Sequence, residues 1–159
     1  MKTLAVFIVT CFLLAASPEL FALGQQFNQR KPGVTDQDII IRIADISEYA
    51  LFYPFQIDGF SMEVIAIMAA DKTIRTAFNA CAECYVLGKG YYVQKRTVLI
   101  CQQCGDEFPP EKIEIQTGGC NPIPIFPGDK TQTASAITIS KEYLSTAKAM
   151  FIKMKEDAE

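Results

Sequence analysis

Between positions 49 and 68 the side chains alternate. Tyr49, Leu51, Tyr53, Phe55 and Ile57 recur at every second place, and so do Phe60, Met62, Val64, Ala66 and Met68. A period of two is the signature of a β-strand with one buried face. Asp58-Gly59 separates the two runs. That dipeptide suits a two-residue hairpin turn, where both central residues need positive φ. The turn sets Ile57 opposite Phe60, Phe55 opposite Met62 and Tyr53 opposite Val64, so one face is apolar throughout and must be buried. Pro54 falls on the other face and marks an edge or a bulge.

Upstream, the isoleucine-rich segment Asp38 to Ile46 predicts a strand. Downstream, Asp71-Lys72 makes a turn, and Thr73 to Asn79 alternates again before Cys81. Gly90 to Gln94 and Thr97 to Ile100 predict a short hairpin that ends on Cys101. Gly118 to Pro124, rich in glycine and proline, predicts a loop without regular structure. Ala136 to Ile139 reads as a strand and Ser140 as the cap of a helix. Tyr143, Leu144, Ala147, Met150, Phe151 and Met154 form that helix's apolar face. Lys141, Lys148 and Lys155 lie on a solvated side without assigned function. These elements predict an α+β domain: a mostly antiparallel sheet and one C-terminal helix.

The first residues follow a different logic. Lys2 precedes an apolar run from Leu4 to Ala16, and Ala22-Leu23-Gly24 offers small residues before Gln25. Residues 1–24 read as a signal peptide. The rival, an uncleaved membrane anchor, is disfavoured because the run is short of the ~20 residues a span needs. Cys11 lies inside the run and is set aside from the fold. Residues 25–37, with Pro32-Gly33, read as a flexible lead-in, and 38–155 as one domain. The longest later apolar stretch, Val64 to Ala70, is far below membrane length. Export places the domain in a periplasmic or other extracytoplasmic space, soluble or peripherally attached to the membrane. A net charge of −3 without a basic block gives nucleic-acid binding no electrostatic support.

The remaining cysteines carry the chemistry. Cys81-Ala-Glu-Cys84 and Cys101-Gln-Gln-Cys104 are two CxxC pairs, and Cys120 follows Gly118-Gly119. Two such pairs at this distance match the ligand spacing of a tetrathiolate metal site, as in a zinc ribbon. Gly105 lets the second turn fold tightly, with amides directed at sulfur. The glycines before Cys120 allow a loop to bring a fifth thiolate to the site. The chain contains no histidine, so a transition metal must rest on thiolates, which favour iron with or without sulfide, zinc or copper(I). An oxidising compartment would favour disulfides instead, but five cysteines in this arrangement suit an ion better than an even-numbered staple pattern.

Several roles compete. Four thiolates satisfy one tetrahedral ion, and the surplus thiolate points to a cluster or a two-metal site in an electron carrier or metal-handling protein. A structural zinc ribbon in a binding module would leave Cys120 incidental. For copper(I), Met62 or Met68 are candidate thioether donors, although both also fit the apolar hairpin face. A thiol–disulfide oxidoreductase would need a CxxC at the start of a helix, which the pattern does not provide. Arg75 can neutralise an anionic cluster or sit on a strand surface. Tyr91-Tyr92 can shield the site or simply pack. No nucleophile–base pair, phosphate loop or small-molecule substrate site stands out, so an enzyme is less expected than a metal-binding protein.

The run Ile74-Arg75-Thr76-Ala77-Phe78-Asn79-Ala80-Cys81-x-x-Cys84, the Gly90-Tyr91 step, Cys101-x-x-Cys104-Gly105, Phe108-Pro109 and Gly118-Gly119-Cys120-Asn121-Pro122 together resemble the FtrD-like family of membrane iron–sulfur proteins. The resemblance extends over roughly 38–155. It implies a metal-binding domain outside the cytoplasmic membrane, serving iron uptake or its electron supply, with an iron–sulfur cluster or iron as cofactor. Carried over position by position, the ligands are Cys81, Cys84, Cys101, Cys104 and Cys120. A membrane-bound metal-transport or redox complex is the implied partner. The multi-span membrane portion of longer members is not part of this sequence, so a shuttle or peripheral subunit is expected.

Overall fold

The computed structural model describes residues 29–158; the segment read as a signal peptide and the first residues of the expected lead-in lie outside them. Strands β4 (Leu51–Ile57), β5 (Phe60–Met68) and β6 (Ile74–Cys81) form an antiparallel meander at the centre. The hairpin has the expected register, with Ile57 opposite Phe60, Phe55 opposite Met62 and Tyr53 opposite Val64. Asp58 and Gly59 take φ of 44° and 78°, the positive values that a two-residue turn of this kind demands. Lys72 closes the next turn at φ 66°, where its amide donates to the Ala69 carbonyl.

Two short strands, β1 (Gln29–Arg30) and β2 (Val34–Thr35), run parallel to the outer edge of β4. The polar segment before Asp38 thus joins the sheet through its backbone, which composition does not reveal. Pro54, which has no amide hydrogen to offer, falls opposite the gap between them: β1 pairs with Leu51 and Phe52, β2 with Phe55 and Gln56. On the far side, β10 (Pro122–Pro124) pairs with β6 through an irregular register. The glycine-proline segment was expected to lack regular structure. It supplies an edge strand instead, the sheet position that tolerates proline.

Strand β3 (Ile39–Arg42) is shorter than expected. Residues Ile43–Asp45 turn into a 3-10 helix, fastened by Arg42 Nη2 to Asp45 Oδ1 at 2.8 Å. With β11 (Thr131–Gln132) and β12 (Ala136–Ile139), β3 makes a small second sheet. Ser140 caps helix α1 (Lys141–Glu156), its hydroxyl accepting from the Tyr143 amide at 3.2 Å. Leu144, Ala147 and Phe151 are buried, whereas Met150 is exposed. Two of the lysines assigned to solvent are engaged. Lys148 pairs with Asp58 at 3.0 Å, and the Lys155 ammonium lies 5.2 Å from the Tyr85 ring centre.

The central sheet is buried on both faces. One face carries Leu51, Phe55, Ile57, Val64, Ala66 and Phe78 against α1 and the small sheet. The other carries Phe52, Ile65, Ile67 and Ala77 against a third sheet, made of β7 (Tyr92–Lys95), β8 (Val98–Cys101) and β9 (Glu107–Phe108). This antiparallel ribbon bears the second CxxC pair. The architecture is therefore the expected α+β arrangement of a mostly antiparallel sheet, one C-terminal helix and a ribbon-like knuckle pair.

Phe151 is fully buried and meets Phe78 edge-on at 5.2 Å and Tyr85 at 4.9 Å. Phe151→Ala should lower stability by about 3–5 kcal/mol, read as a shift in the urea midpoint at unchanged slope.

Candidate metal centre

The ribbon ends where the central sheet ends. Cys81 is the last residue of β6 and Cys101 the last of β8, so both CxxC turns emerge side by side. Backbone bonds lock them together. The Cys81 amide donates to the Gly90 carbonyl at 2.7 Å, and the Gln102 amide to the Tyr91 carbonyl at 2.8 Å. The Ala82 amide donates to the Asn121 carbonyl at 2.9 Å, which brings in the Gly-Gly-Cys loop. Gly118 and Gly119 take φ of 82° and 73° to shape that loop.

All five thiols are free and converge. Cys81, Cys84 and Cys101 have sulfurs mutually within 4.8 Å, and so do Cys84, Cys104 and Cys120. Cys120 Sγ stands 3.9 Å from Cys84 Sγ and 3.4 Å from Cys104 Sγ. The first three are buried, Cys120 is half-buried and Cys104 is exposed. A tetrahedral site with metal–sulfur bonds near 2.3 Å has sulfur–sulfur edges of about 3.8 Å. The donor set thus fits a thiolate-bound ion in both spacing and chemistry.

The protonation pattern is one that a cation would suit. Burial pushes the Cys81 thiol up, but the neighbouring Tyr92 hydroxyl, which is buried and makes no regular hydrogen bond, and the amides of Cys84 and Glu83 together outweigh it, and the thiol is held below its ordinary value. The Asp106 amide does the same for Cys104. Burial pushes Cys84 up to about 12, with hydrogen bonding to Cys104 and Cys81 adding to it. Burial also raises Cys101, more than the amides of Cys104 and Gln103 lower it. Hydrogen bonding to Cys104 and burial raise Cys120 well beyond the usual thiol range. One anion in this cluster opposes the next until a cation neutralises them.

The two turns differ after their second cysteine. Gly105 follows Cys104 at φ 80°, its amide donating to the Cys101 carbonyl at 2.9 Å. After Cys84 the chain enters a 3-10 turn at Tyr85–Leu87, and Tyr85 packs on Phe151. Neither CxxC opens an α-helix, so the arrangement that acidifies a redox-active dithiol is not built here.

Other sequence candidates separate. Tyr92 is fully buried beside Cys81, while Tyr91 is exposed, so only the former shields sulfur. Arg75 binds Asp71 at 3.1 Å, six residues along β6 from Cys81 and therefore about 20 Å away. It does not neutralise the cluster. Met62 and Met68 pack with the helix-side core, on the sheet face opposite the thiols, and Met62 Sδ accepts from the Tyr85 hydroxyl at 3.7 Å. Neither is a ligand.

Three supporting residues were not foreseen as such. Asn79 accepts from the Tyr92 amide at 2.6 Å and donates to Glu63 at 2.7 Å. Gln94 accepts from the Ala50 amide at 2.6 Å and donates to the Glu48 carbonyl at 2.7 Å. Both fasten the ribbon to the sheet, and an amide inside an apolar alternation was the available signal. The third is Gly90. A Cβ there would lie 2.3 Å from the Cys84 carbonyl carbon and 2.4 Å from the Tyr85 nitrogen.

Gly90→Ala should therefore displace the first CxxC turn and lower metal content per chain, measured by elemental analysis alongside thermal unfolding. Tyr92→Phe removes the hydroxyl that favours the Cys81 thiolate and leaves the opposing effect of burial. The Cys81 pKa should rise, and metal loading should need higher pH. Ultraviolet thiolate absorbance of the metal-free protein and a pH series of loading check this.

Among the described residues no helix is long and apolar enough to cross a membrane. No curated protein and no solved structure matches the chain. Residues 43–151, more than half of the sequence and all five clustered cysteines, match the model of the family described as Membrane iron-sulfur containing protein FtrD-like. The chain belongs to the FtrD-like family.

Proposed function

We propose that this is an exported thiolate metal protein that carries electrons or handles metal ions in support of iron uptake. Its ligands are Cys81, Cys84, Cys101, Cys104 and Cys120, and iron is the favoured metal, held alone or with sulfide. The observation that carries the reading is the convergence of five free thiols at one end of the sheet, three buried and one exposed. Bound iron would supply a one-electron couple. The protein's part is to orient the sulfurs, direct amides at Cys81 and Cys101, and keep water from the buried side with Tyr92, Phe108 and Ile113. Cys104 at the surface gives electrons or ions a short way out.

The family's description as a membrane protein supports a membrane-bound metal-transport or redox complex as partner. Residues 1–24 act as the export signal in this reading. A structural zinc ribbon is the second reading, favoured by the three-stranded ribbon beneath the two knuckles.

Anaerobic purification followed by elemental analysis, a visible spectrum and voltammetry is the test. Bound iron with thiolate-to-metal absorption and a reversible potential is expected. A colourless protein holding zinc alone would favour the structural ribbon. Metal-free protein with its cysteines joined as disulfides would reject both.

A further inference from the structure

Three buried side-chain polar atoms among the described residues make no regular hydrogen bond: Arg75 Nε, Asn121 Oδ1 and the Tyr92 hydroxyl. Leaving such a group unpaired is costly, so its position needs a reason. The Tyr92 hydroxyl stands beside the Cys81 thiol. Phe52, Ile65, Leu99, Phe108 and Ile113, which pack in the same cluster, offer it no side-chain acceptor. The Cys81 sulfur does, and an ionised sulfur accepts better than a neutral thiol. We propose that Tyr92 donates its hydroxyl hydrogen to the Cys81 thiolate of the loaded centre and thereby raises the reduction potential of the iron held there. This rests on the metal-binding reading above and adds the side chain that tunes the couple.

The chain holds the ring in place from both sides. The Tyr92 amide donates to Asn79 Oδ1 at 2.6 Å, and Asn79 lies on β6 with Cys81. Tyr92 faces Cys101 across the ribbon. The Cys81 amide donates to the Gly90 carbonyl and the Gln102 amide to the Tyr91 carbonyl. Residues 90–92 are therefore clamped between the two CxxC turns. The aromatic ring fills an apolar space, as a phenylalanine would, and the hydroxyl is the part that phenylalanine lacks.

One-electron reduction makes the sulfurs around the iron more negative. A donor directed at a ligand sulfur is then held more strongly, so it favours the reduced state. No cation on β6 does this work, because Arg75 pairs with Asp71 at the strand's other end. Backbone amides also face Cys81 and Cys101, but no side-chain substitution removes them. The phenol keeps its proton throughout, since burial and the neighbouring Cys81 hold it far above the ordinary tyrosine range.

The test compares the full unaltered chain with Tyr92→Phe and Tyr91→Phe, each loaded anaerobically with iron and sulfide at a pH high enough to fill it. Potentials are measured by voltammetry at one common pH, and iron–sulfur stretching bands by resonance Raman spectroscopy in H2O and D2O. Tyr92→Phe should have the lower potential, by roughly tenfold in the ratio of reduced to oxidised protein, about 59 mV for one electron. Its stretching bands should shift less in D2O than those of the unaltered chain. Tyr91→Phe, altered at the surface, should match the unaltered chain in both. Tyr92→3-fluorotyrosine keeps the ring, sharpens the donor and should raise the potential, which decides the matter if Tyr92→Phe does not load. An unchanged or higher potential in loaded Tyr92→Phe overturns the inference and leaves the metal reading intact. So does a deuterium shift equal to that of the unaltered chain, or an unchanged or lower potential with fluorotyrosine. An unaltered chain that holds no redox-active iron overturns both.

Discussion

Thiols crowded into an apolar pocket cannot all ionise unaided, and the rest of the molecule is arranged around that constraint. Burial favours the neutral form at Cys84 and Cys101, while amides and the Tyr92 hydroxyl favour the anion at Cys81. A bound cation would remove the conflict, and its binding would be linked to the stability of this end of the fold. The backbone bonds from Cys81 to Gly90 and from Ala82 to Asn121 hold three distant stretches of chain where that event can occur.

The scaffold is rigid where position matters. β6 delivers Cys81 from the middle of a sheet covered on both sides, and β8 delivers Cys101 from a ribbon laid across it. A second anchorage holds the segment that carries Cys120. Glu114, almost fully buried, accepts from the Thr76 amide at 2.8 Å and pairs with buried Lys130 at 2.6 Å. Removing one partner of such a pair leaves a charge stranded in the interior. The segment from Ile113 to Lys130 is thus fastened to the start of β6 as well as at the thiols.

Much of this was legible in the sequence where the rule is local. Asp58-Gly59 dictated its own turn and, through it, the pairing of β4 with β5. Ser140 and the apolar spacing after it marked the helix. The CxxC pairs announced a ligand set because two residues between cysteines suffice for a turn around an ion. What escaped depends on partners far away in the chain. Gln29–Arg30 and Val34–Thr35 join the sheet through backbone groups that any residue possesses. Pro122–Pro124 became a strand because the edge of β6 was free to accept it. The second apolar face was masked because Ala77 is small and Phe52, Ile65 and Ile67 sit between residues already claimed for the first. Gly90 looked like an ordinary turn glycine, and only the approach of Cys84 in space gives it a reason.

That second face has a consequence for the life of the protein. A sheet that is greasy on both sides has no finished exterior until the ribbon lies over it, and the side-chain amides of Asn79 and Gln94 help to pin the ribbon there. A newly made chain whose ribbon has not docked keeps Phe52, Ile65 and Ile67 within reach of water, looking to proteases and chaperones like an incomplete product. Two buried amides, more than any single apolar contact, thus decide when the molecule passes as finished.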